Sequence, residues 1–261
     1  AGTYGRSLIP NSYKRHPYWM PFLFIENMIA LHVVLREKEM TKRSDIIDNS
    51  DRYITRNSRY GLIYTENLGW IDLGHANPAG AEQLWQQMTM PRGGDSDWFD
   101  VRYHQSMSKK IAGVQTTTGI YRHFLVKRGL SDRMLKGVAL TIFMDTSHHF
   151  ETLQDFWPYI FITDSGYSAE DLVSNLFGFC QAVDYADYTS FLNICSKEKA
   201  YRIWDYYGPV GAFKNKSVVP LLFPDPVDPQ AKYQPVQGVL PSFMGAIEPV
   251  VNPSCLREIR I

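Results

Sequence analysis

The sequence GWIDLGHANP, at residues 69–78, constrains the fold of this chain most, because it ends a strand and begins a helix within one short stretch. Asp72 and His75 leave opposite faces of a regular strand, but Gly74 lets the backbone bend so that both can face one cleft. Asn77 is a preferred N-cap residue, and Pro78 suits the first helical position. We therefore predict that His75 lies at a strand-to-helix junction, where loops often carry functional groups.

The neighbouring residues predict a small β-hairpin that leads into this helix. Residues 61–65 and 70–73 are apolar enough for strands, and residues 66–69 form a turn between them. The helix is predicted over residues 79–88, with Leu84, Trp85 and Met88 on its buried side.

The rest of the chain is predicted to be mostly helical. Apolar periodicity and capping residues predict four further helices, at about residues 21–39, 131–157, 169–186 and 190–206. Residues 101–128 alternate in polarity and favour strands. A proline-rich segment from about residue 208 is predicted to wrap the surface. The predicted fold is a single, mainly α domain of the α+β type over residues 1–261, with a small β-hairpin.

Composition narrows the class of protein. Lys and Arg together number 27 and Asp and Glu number 27, and this balance argues against a nucleic-acid-binding protein. Polar residues interrupt the apolar stretch at residues 17–35, so no stable membrane insertion is predicted. The three cysteines have neither the number of a disulfide framework nor the spacing of a metal site.

Glu66 is the first candidate for chemistry, because the predicted hairpin turn projects its carboxylate over a groove. Glycoside hydrolysis requires two carboxyl groups, or one acid and a positioned water, and the acid needs a raised pKa. Tyr64, Trp70 and Trp85 lie close enough in sequence to form the apolar wall that raises it and to contact substrate. The alternative for these aromatic residues is a place in the hydrophobic core.

Further polar residues fall on apolar helix faces. His149 lies on the main stripe of the predicted helix at 131–157, either as a hydrogen-bonded core histidine or facing a cleft. Glu151 shares a face with apolar residues, and a buried carboxylate must be paired, protonated or functional. Glu170 and Asp171 suit the first turn of the next helix, where acids offset the helix dipole, but Glu170 also faces inward.

A metal site is the competing use of the same residues. His75 and His149 together with Glu170 or Glu151 form a chemically suitable set of zinc ligands. The compact spacing of a zinc protease is missing, however, and the sequence contains neither a GxSxG elbow nor a P-loop.

Two resemblances rest on these segments. The blocks GLIYT at 61–65, GWIDLGH at 69–75 and SAEDLVSNLFG at 168–178 resemble, in order and spacing, those of a bacterial family without an assigned activity. This resemblance implies that Asp72, His75, His149 and Glu170 converge. The segments IYTE at 63–66 and GW at 69–70 resemble the hairpin of lysozyme-like toxin domains at the C-termini of type VI secretion effectors. The Thr-x-Gly-x-Gly of phage-type lysozymes is absent from this chain.

The second resemblance implies a lysozyme-like fold and a peptidoglycan glycan-strand hydrolase without a cofactor. Glu66 is the expected general acid, Asp72 or Glu170 the second carboxylate, and His75 the residue that orients one of them. Such a toxin is made in the cytoplasm and delivered into the periplasm of a target bacterium, where peptidoglycan and an immunity protein are its partners. The alternatives are a metal-dependent hydrolase that uses His75, His149 and Glu170, and a non-catalytic cell-wall-binding module.

Overall fold

The computed structural model describes residues 41–111, 114–155, 167–229 and 234–259. The helix predicted at residues 21–39 lies outside the described residues. The predicted hairpin is confirmed. Strands β1 (Leu62–Thr65) and β2 (Gly69–Asp72) pair antiparallel, with Tyr64 opposite Trp70.

A much longer hairpin follows and changes the fold class. Strands β3 (Trp98–Ile111) and β4 (Val114–Lys127) each contain 14 residues and pair along their whole length. Inward-facing Phe99, Val101 and Tyr103 alternate with exposed residues, as expected for a sheet with one buried face. The described residues contain seven strands in three sheets, so the prediction of a mainly α domain with one small hairpin is wrong and the fold is mixed α+β.

The described α-helices are α1 (Ala79–Thr89), α2 (Asp132–Asp155), α3 (Asp171–Val183), α4 (Lys197–Tyr207) and the short α5 (Ser242–Gly245). Helix α1 buries Leu84, Trp85 and Met88 on one side, as predicted. The single helix predicted at 190–206 is instead a 3-10 turn at Thr189–Leu192 followed by α4. These two elements separate because Ser196 caps α4, accepting a hydrogen bond from the Lys199 N–H.

The segment after α4 contains little regular structure. It forms a 3-10 turn at Val210–Ala212, the two-residue strands β5 (Leu221–Leu222) and β6 (Val236–Gln237), α5, and β7 (Leu256–Glu258). Strand β7 pairs with β4 and extends the long hairpin to a three-stranded sheet. The end of the described chain is thereby fixed to an element more than a hundred residues earlier in sequence.

Two hydrophobic clusters hold these elements together. The larger cluster joins α1, α2 and α3 to the inner face of the long hairpin, and its residues include Trp85, Val101 and Phe179. The smaller cluster joins β1 and β2 to α4 and includes Tyr64, Trp70 and Trp204. Helix α3 lies between other elements and every one of its residues is buried.

Two further observations concern the bilayer and the cysteines. None of the helices described here combines the length and apolar character needed to cross a bilayer. Cys180, Cys195 and Cys255 are all free and buried, so they form no disulfide.

Candidate functional site

A cleft of about 520 Å³ opens where the end of β2 meets α1, β3, α2 and the start of α3. Its lining includes four acidic side chains and a histidine beside them, which come from three separate parts of the chain. They are Asp72, His75, Glu151, Glu170 and Asp171. We call this the acid cleft. The structure therefore brings Asp72, His75 and Glu170 together, as the sequence predicted for these three residues.

The strand-to-helix junction fixes one side of the acid cleft. Asp72 ends β2, and its Oδ1 accepts hydrogen bonds from the backbone N–H groups of Gly74 at 2.6 Å and His75 at 3.1 Å. Helix α3 packs tightly against the same turn at Gly178. A Cβ on this residue would come within 2.9 Å of the Ala76 carbonyl oxygen, so glycine is needed for this approach. The carboxylate of Asp72 is thus held by the backbone of the turn that follows it.

Glu170 occupies the N-cap position of α3 and is only 2% exposed. The Thr41 hydroxyl donates to its Oε1 at 3.3 Å, and its Oε2 has no hydrogen-bond partner in the described part of the protein. The pKa of Glu170 is raised to about 7: burial raises it most and the charge of Asp72 adds to this, whereas a backbone hydrogen bond, His75 and Thr41 lower it. Glu170 therefore holds a proton close to neutral pH.

Glu151 and Asp171 form a carboxyl pair beside Glu170. Glu151 Oε2 accepts the Tyr167 N–H at 3.2 Å, and Asp171 Oδ2 accepts the Ser168 N–H at 2.6 Å. Burial raises the pKa of both groups, most strongly that of Asp171, and the negative charges of Glu170 and Glu151 raise the pKa of Asp171 further. The surroundings of this pair therefore favour the protonated forms.

Three buried polar atoms in the acid cleft lack a hydrogen-bond partner among the described residues. They are His75 Nδ1, Glu151 Oε1 and Glu170 Oε2. Most buried polar atoms in folded proteins are hydrogen-bonded, and an unsatisfied one costs free energy. Several such atoms in one cleft, together with raised carboxyl pKa values, are typical of a functional site.

Glu66 does not line the acid cleft. It follows β1 in the tight turn, 54% of its side chain is exposed, and its Oε1 pairs with Lys199 Nζ at 2.5 Å. The hydrogen bond from Lys199 lowers the pKa of Glu66, with a smaller contribution in the same direction from Cys195. A general acid requires a raised pKa, so this environment opposes the role predicted for Glu66.

The predicted substrate-binding aromatic residues are core residues. Tyr64, Trp70 and Trp85 are each 2–3% exposed and do not line the acid cleft. Trp70 packs edge-to-face on Tyr64 and on Trp204, with ring centroids 5.0 and 5.9 Å apart. Their side chains are therefore not available to stack on a sugar.

The ligand set of the metal-dependent alternative is not assembled either. His149 is half exposed, lies beside Asp145 on the outer side of α2 and does not line the acid cleft. Within the described ranges, no group of three or more His, Cys, Asp and Glu side chains has the arrangement of a metal site. The convergence of His149 with the other residues, implied by the first resemblance, is not observed.

Several cleft residues were not predicted from the sequence as parts of a site. Asp171 was assigned only to the helix dipole, and Thr41, Gln105 and Asn175 were not considered. One signal was present: polar residues recur at positions 171, 174 and 175 of a helix that is otherwise apolar except for Gln181. The i, i+3, i+4 spacing places them on one face, and a polar face on a buried helix indicates a cleft.

No protein-family model, curated protein or solved structure matches this chain.

Proposed function

We propose that the protein is a hydrolase of glycan strands, with Glu170 as its general acid and Asp72 as its second carboxylate. One observation carries the proposal. A carboxyl group with a pKa of about 7 lines the same open cleft as a carboxylate held by backbone N–H groups. A carboxyl group that donates its proton and a second carboxyl group that accepts one are the usual acid and base of glycoside hydrolysis.

The proposed reaction follows from these two states. Protonated Glu170 gives its proton to the oxygen of the glycosidic bond, and the bond breaks with that oxygen leaving as an alcohol. Asp72 accepts a proton from a water molecule, whose oxygen bonds to the anomeric carbon. One water is consumed, and the proton lost by Glu170 is balanced by the one gained by Asp72.

His75 is proposed as a positioning residue. His75 lowers the pKa of Glu151 and of Glu170, in opposition to burial. Replacing it by a neutral residue is therefore expected to raise the pKa of Glu170 further. This change would move the pH range of activity upward without removing either carboxyl group.

The lining of the acid cleft supports a sugar as substrate. Besides its acids, it presents hydroxyl and amide groups from Thr41, Asn77, Gln105 and Asn175. Such groups both donate and accept hydrogen bonds, as sugar hydroxyls do. The resemblance of the hairpin segment to wall-cutting toxin domains supports peptidoglycan as the particular glycan. Delivery into a target periplasm and an immunity partner belong to the same proposal.

Mass analysis of purified cell walls after incubation with the protein tests this function. New reducing ends, produced with and without a chelator, are expected. New free amines instead would identify an amidase, and loss of products with chelator would identify a metal-dependent hydrolase. Binding to walls without any product would identify a binding module and overturn the proposal.

A further inference from the structure

A second cleft, of about 820 Å³, adjoins the acid cleft and differs from it in charge. Three cationic side chains line it, those of Lys42, Arg52 and Arg59. Asp45 and Asp72 are the acids in its lining. We call it the basic cleft. The protein as a whole has equal numbers of acidic and basic residues, so this concentration of positive charge is local.

The cations of the basic cleft are not neutralised by the acids nearby. None of Lys42, Arg52 and Arg59 forms a side-chain ion pair with a described residue. Asp45 Oδ2 accepts the backbone N–H of Lys42 at 2.7 Å, and its Oδ1 is 3.4 Å from the Ser44 hydroxyl. Asp51, which directly precedes Arg52 in the chain, pairs with Lys197 instead. Within the part of the chain that the structure describes, the three cations therefore have no acidic partner.

Arg52 lies close to the backbone that leads into β1. Gly61 has φ +121°, in a region that side-chain-bearing residues rarely adopt, and a Cβ there would lie 3.4 Å from Arg52 Nη2. Arg52 is exposed to solvent. Its planar guanidinium is of the kind that binds a carboxylate through two hydrogen bonds.

The two clefts meet at the proposed reaction centre. Thr41, Asp72 and Gly74 line both of them. A Cβ at Gly74 would come within 3.2 Å of the Arg59 carbonyl oxygen, so the loop that carries Arg59 passes directly beside the acid cleft. A substrate whose scissile bond lies between Glu170 and Asp72 would therefore extend a neighbouring group into the basic cleft.

We infer that the basic cleft binds a carboxylate of the peptide attached to the glycan strand, through Arg52 and Arg59. This inference rests on the proposed function and specifies its substrate as a glycan that carries an acidic peptide. Long-range attraction between this cleft and the anion would also speed the encounter, and salt would weaken it.

The test is calorimetric binding to the Glu170→Gln variant, which removes the proposed acid so that the ligand stays intact. The probes are a wall disaccharide with a tetrapeptide that bears free carboxylates, the same compound with its carboxylates amidated, and a glycerol phosphate oligomer. We expect the charged compound to bind about tenfold more tightly than the amidated one at low salt. This preference should shrink in about 0.5 M salt.

Substitution then assigns the preference to the basic cleft. Adding Arg52→Gln and Arg59→Gln should abolish the preference and leave binding of the amidated compound unchanged. Arg133→Gln is the matched control, because Arg133 is exposed on α2 and faces Glu248 at 3.1 Å, away from both clefts. It should leave the preference intact. The two cleft substitutions are also judged by melting temperature. If they lower it, the loss of preference in salt, measured with Glu170→Gln alone, shows whether charge attraction causes the preference.

Three results would overturn the inference: equal affinity for the charged and amidated compounds, a preference that survives both cleft substitutions, or tighter binding of the glycerol phosphate oligomer. None of these depends on hydrolysis. Failure of the proposed function appears separately, as wall digestion without new reducing ends by the unsubstituted protein.

Discussion

The turn of the small hairpin and the acid cleft each contain a glutamate, and the two glutamates are in opposite situations. Glu66 is half exposed and paired with Lys199, and this hydrogen bond lowers its pKa. Glu170 is buried beside Asp72, and its pKa rises to about 7. The surroundings thus favour the ionised form of the side chain in one region and its protonated form in the other.

This difference teaches that a carboxyl group is suited to acid catalysis by what surrounds it. Burial raises the pKa of an acid only where its effect exceeds that of any cation nearby. Tyr64 and Trp70 do lie near Glu66 in sequence, but their rings pack into the core below the hairpin while Lys199 covers the carboxylate. We therefore propose a structural role for the small hairpin and a catalytic role for the acid cleft. Substitutions in the two regions can distinguish these roles.

The largest expected effect is on activity. Glu170→Gln should reduce the release of reducing ends by about 10²–10⁴-fold, the usual contribution of a general acid, whereas Glu66→Gln should stay within about threefold of the unsubstituted protein. Melting curves serve as the control. Because burial raises the pKa of Glu170, its ionisation opposes folding at neutral pH, and the amide should keep or raise the melting temperature. A greater loss of activity in Glu66→Gln than in Glu170→Gln would contradict the roles given to the two glutamates.

The next effect is on stability. Trp70→Ala should lower the free energy of unfolding by about 3–5 kcal/mol, because it opens a cavity beneath the hairpin. Tyr53→Ala is the control, since this side chain is 86% exposed and its loss should cost less than about 0.5 kcal/mol. Denaturant titration measures both. A fully stable Trp70→Ala protein with weakened substrate binding would instead indicate that Trp70 contacts the substrate.

A smaller effect is expected from pH. Glu170 must be protonated to act, so kcat/KM for wall hydrolysis should fall about tenfold per pH unit above the pKa of about 7. The pH profile of Glu66→Gln should superimpose on that of the unsubstituted protein, because the pKa of Glu66 is lowered and lies outside this range. A basic limb that moved in Glu66→Gln would make Glu66 the titrating acid.

The smallest effect is that of Glu66 on stability. Its pair with Lys199 is half exposed, so Glu66→Gln should cost less than about 1 kcal/mol at neutral pH. A lowered folded-state pKa gives stability above the unfolded-state value of the group, and this contribution is lost as the pH falls through the folded-state value. The free energies of unfolding of the two proteins, measured at pH 7 and at about pH 3, should therefore differ only at pH 7. A difference that persists in acid would mean that the amide disturbs the turn itself.

The sequence predicts the local elements well because their signals are local. Hairpin strands, the start of α1 and the periodicity of α2 and α3 can each be read from neighbouring residues, and their bounds agree within a few residues. The fold class was wrong because alternation over residues 101–128 predicts strands but not that two 14-residue strands pair along their whole length. Their full pairing, and the addition of β7, depend on contacts distant in sequence.

The site was predicted in part for the same reason. Asp72 and His75 belong to one turn, so their proximity follows from the local bend at Gly74. Thr41 and Glu151 reach the cleft only through tertiary packing. The pKa of Glu66 depends on Lys199, which approaches from a helix far along the chain. The burial of an aromatic residue next to a carboxylate, as at Trp70, is likewise decided by packing rather than by spacing.

The exposed loop at residues 90–97 divides the acid cleft along the chain. Asp72 and His75 precede this loop, whereas Glu151, Glu170 and Asp171 follow it, so neither side holds both proposed catalytic carboxyl groups. A chain split between Gly93 and Gly94 would separate into two inert halves. Since α1 packs against α3 across the split, the halves have a buried surface with which to reassemble. Wall cleavage would then report the meeting of two fragments rather than the presence of either one.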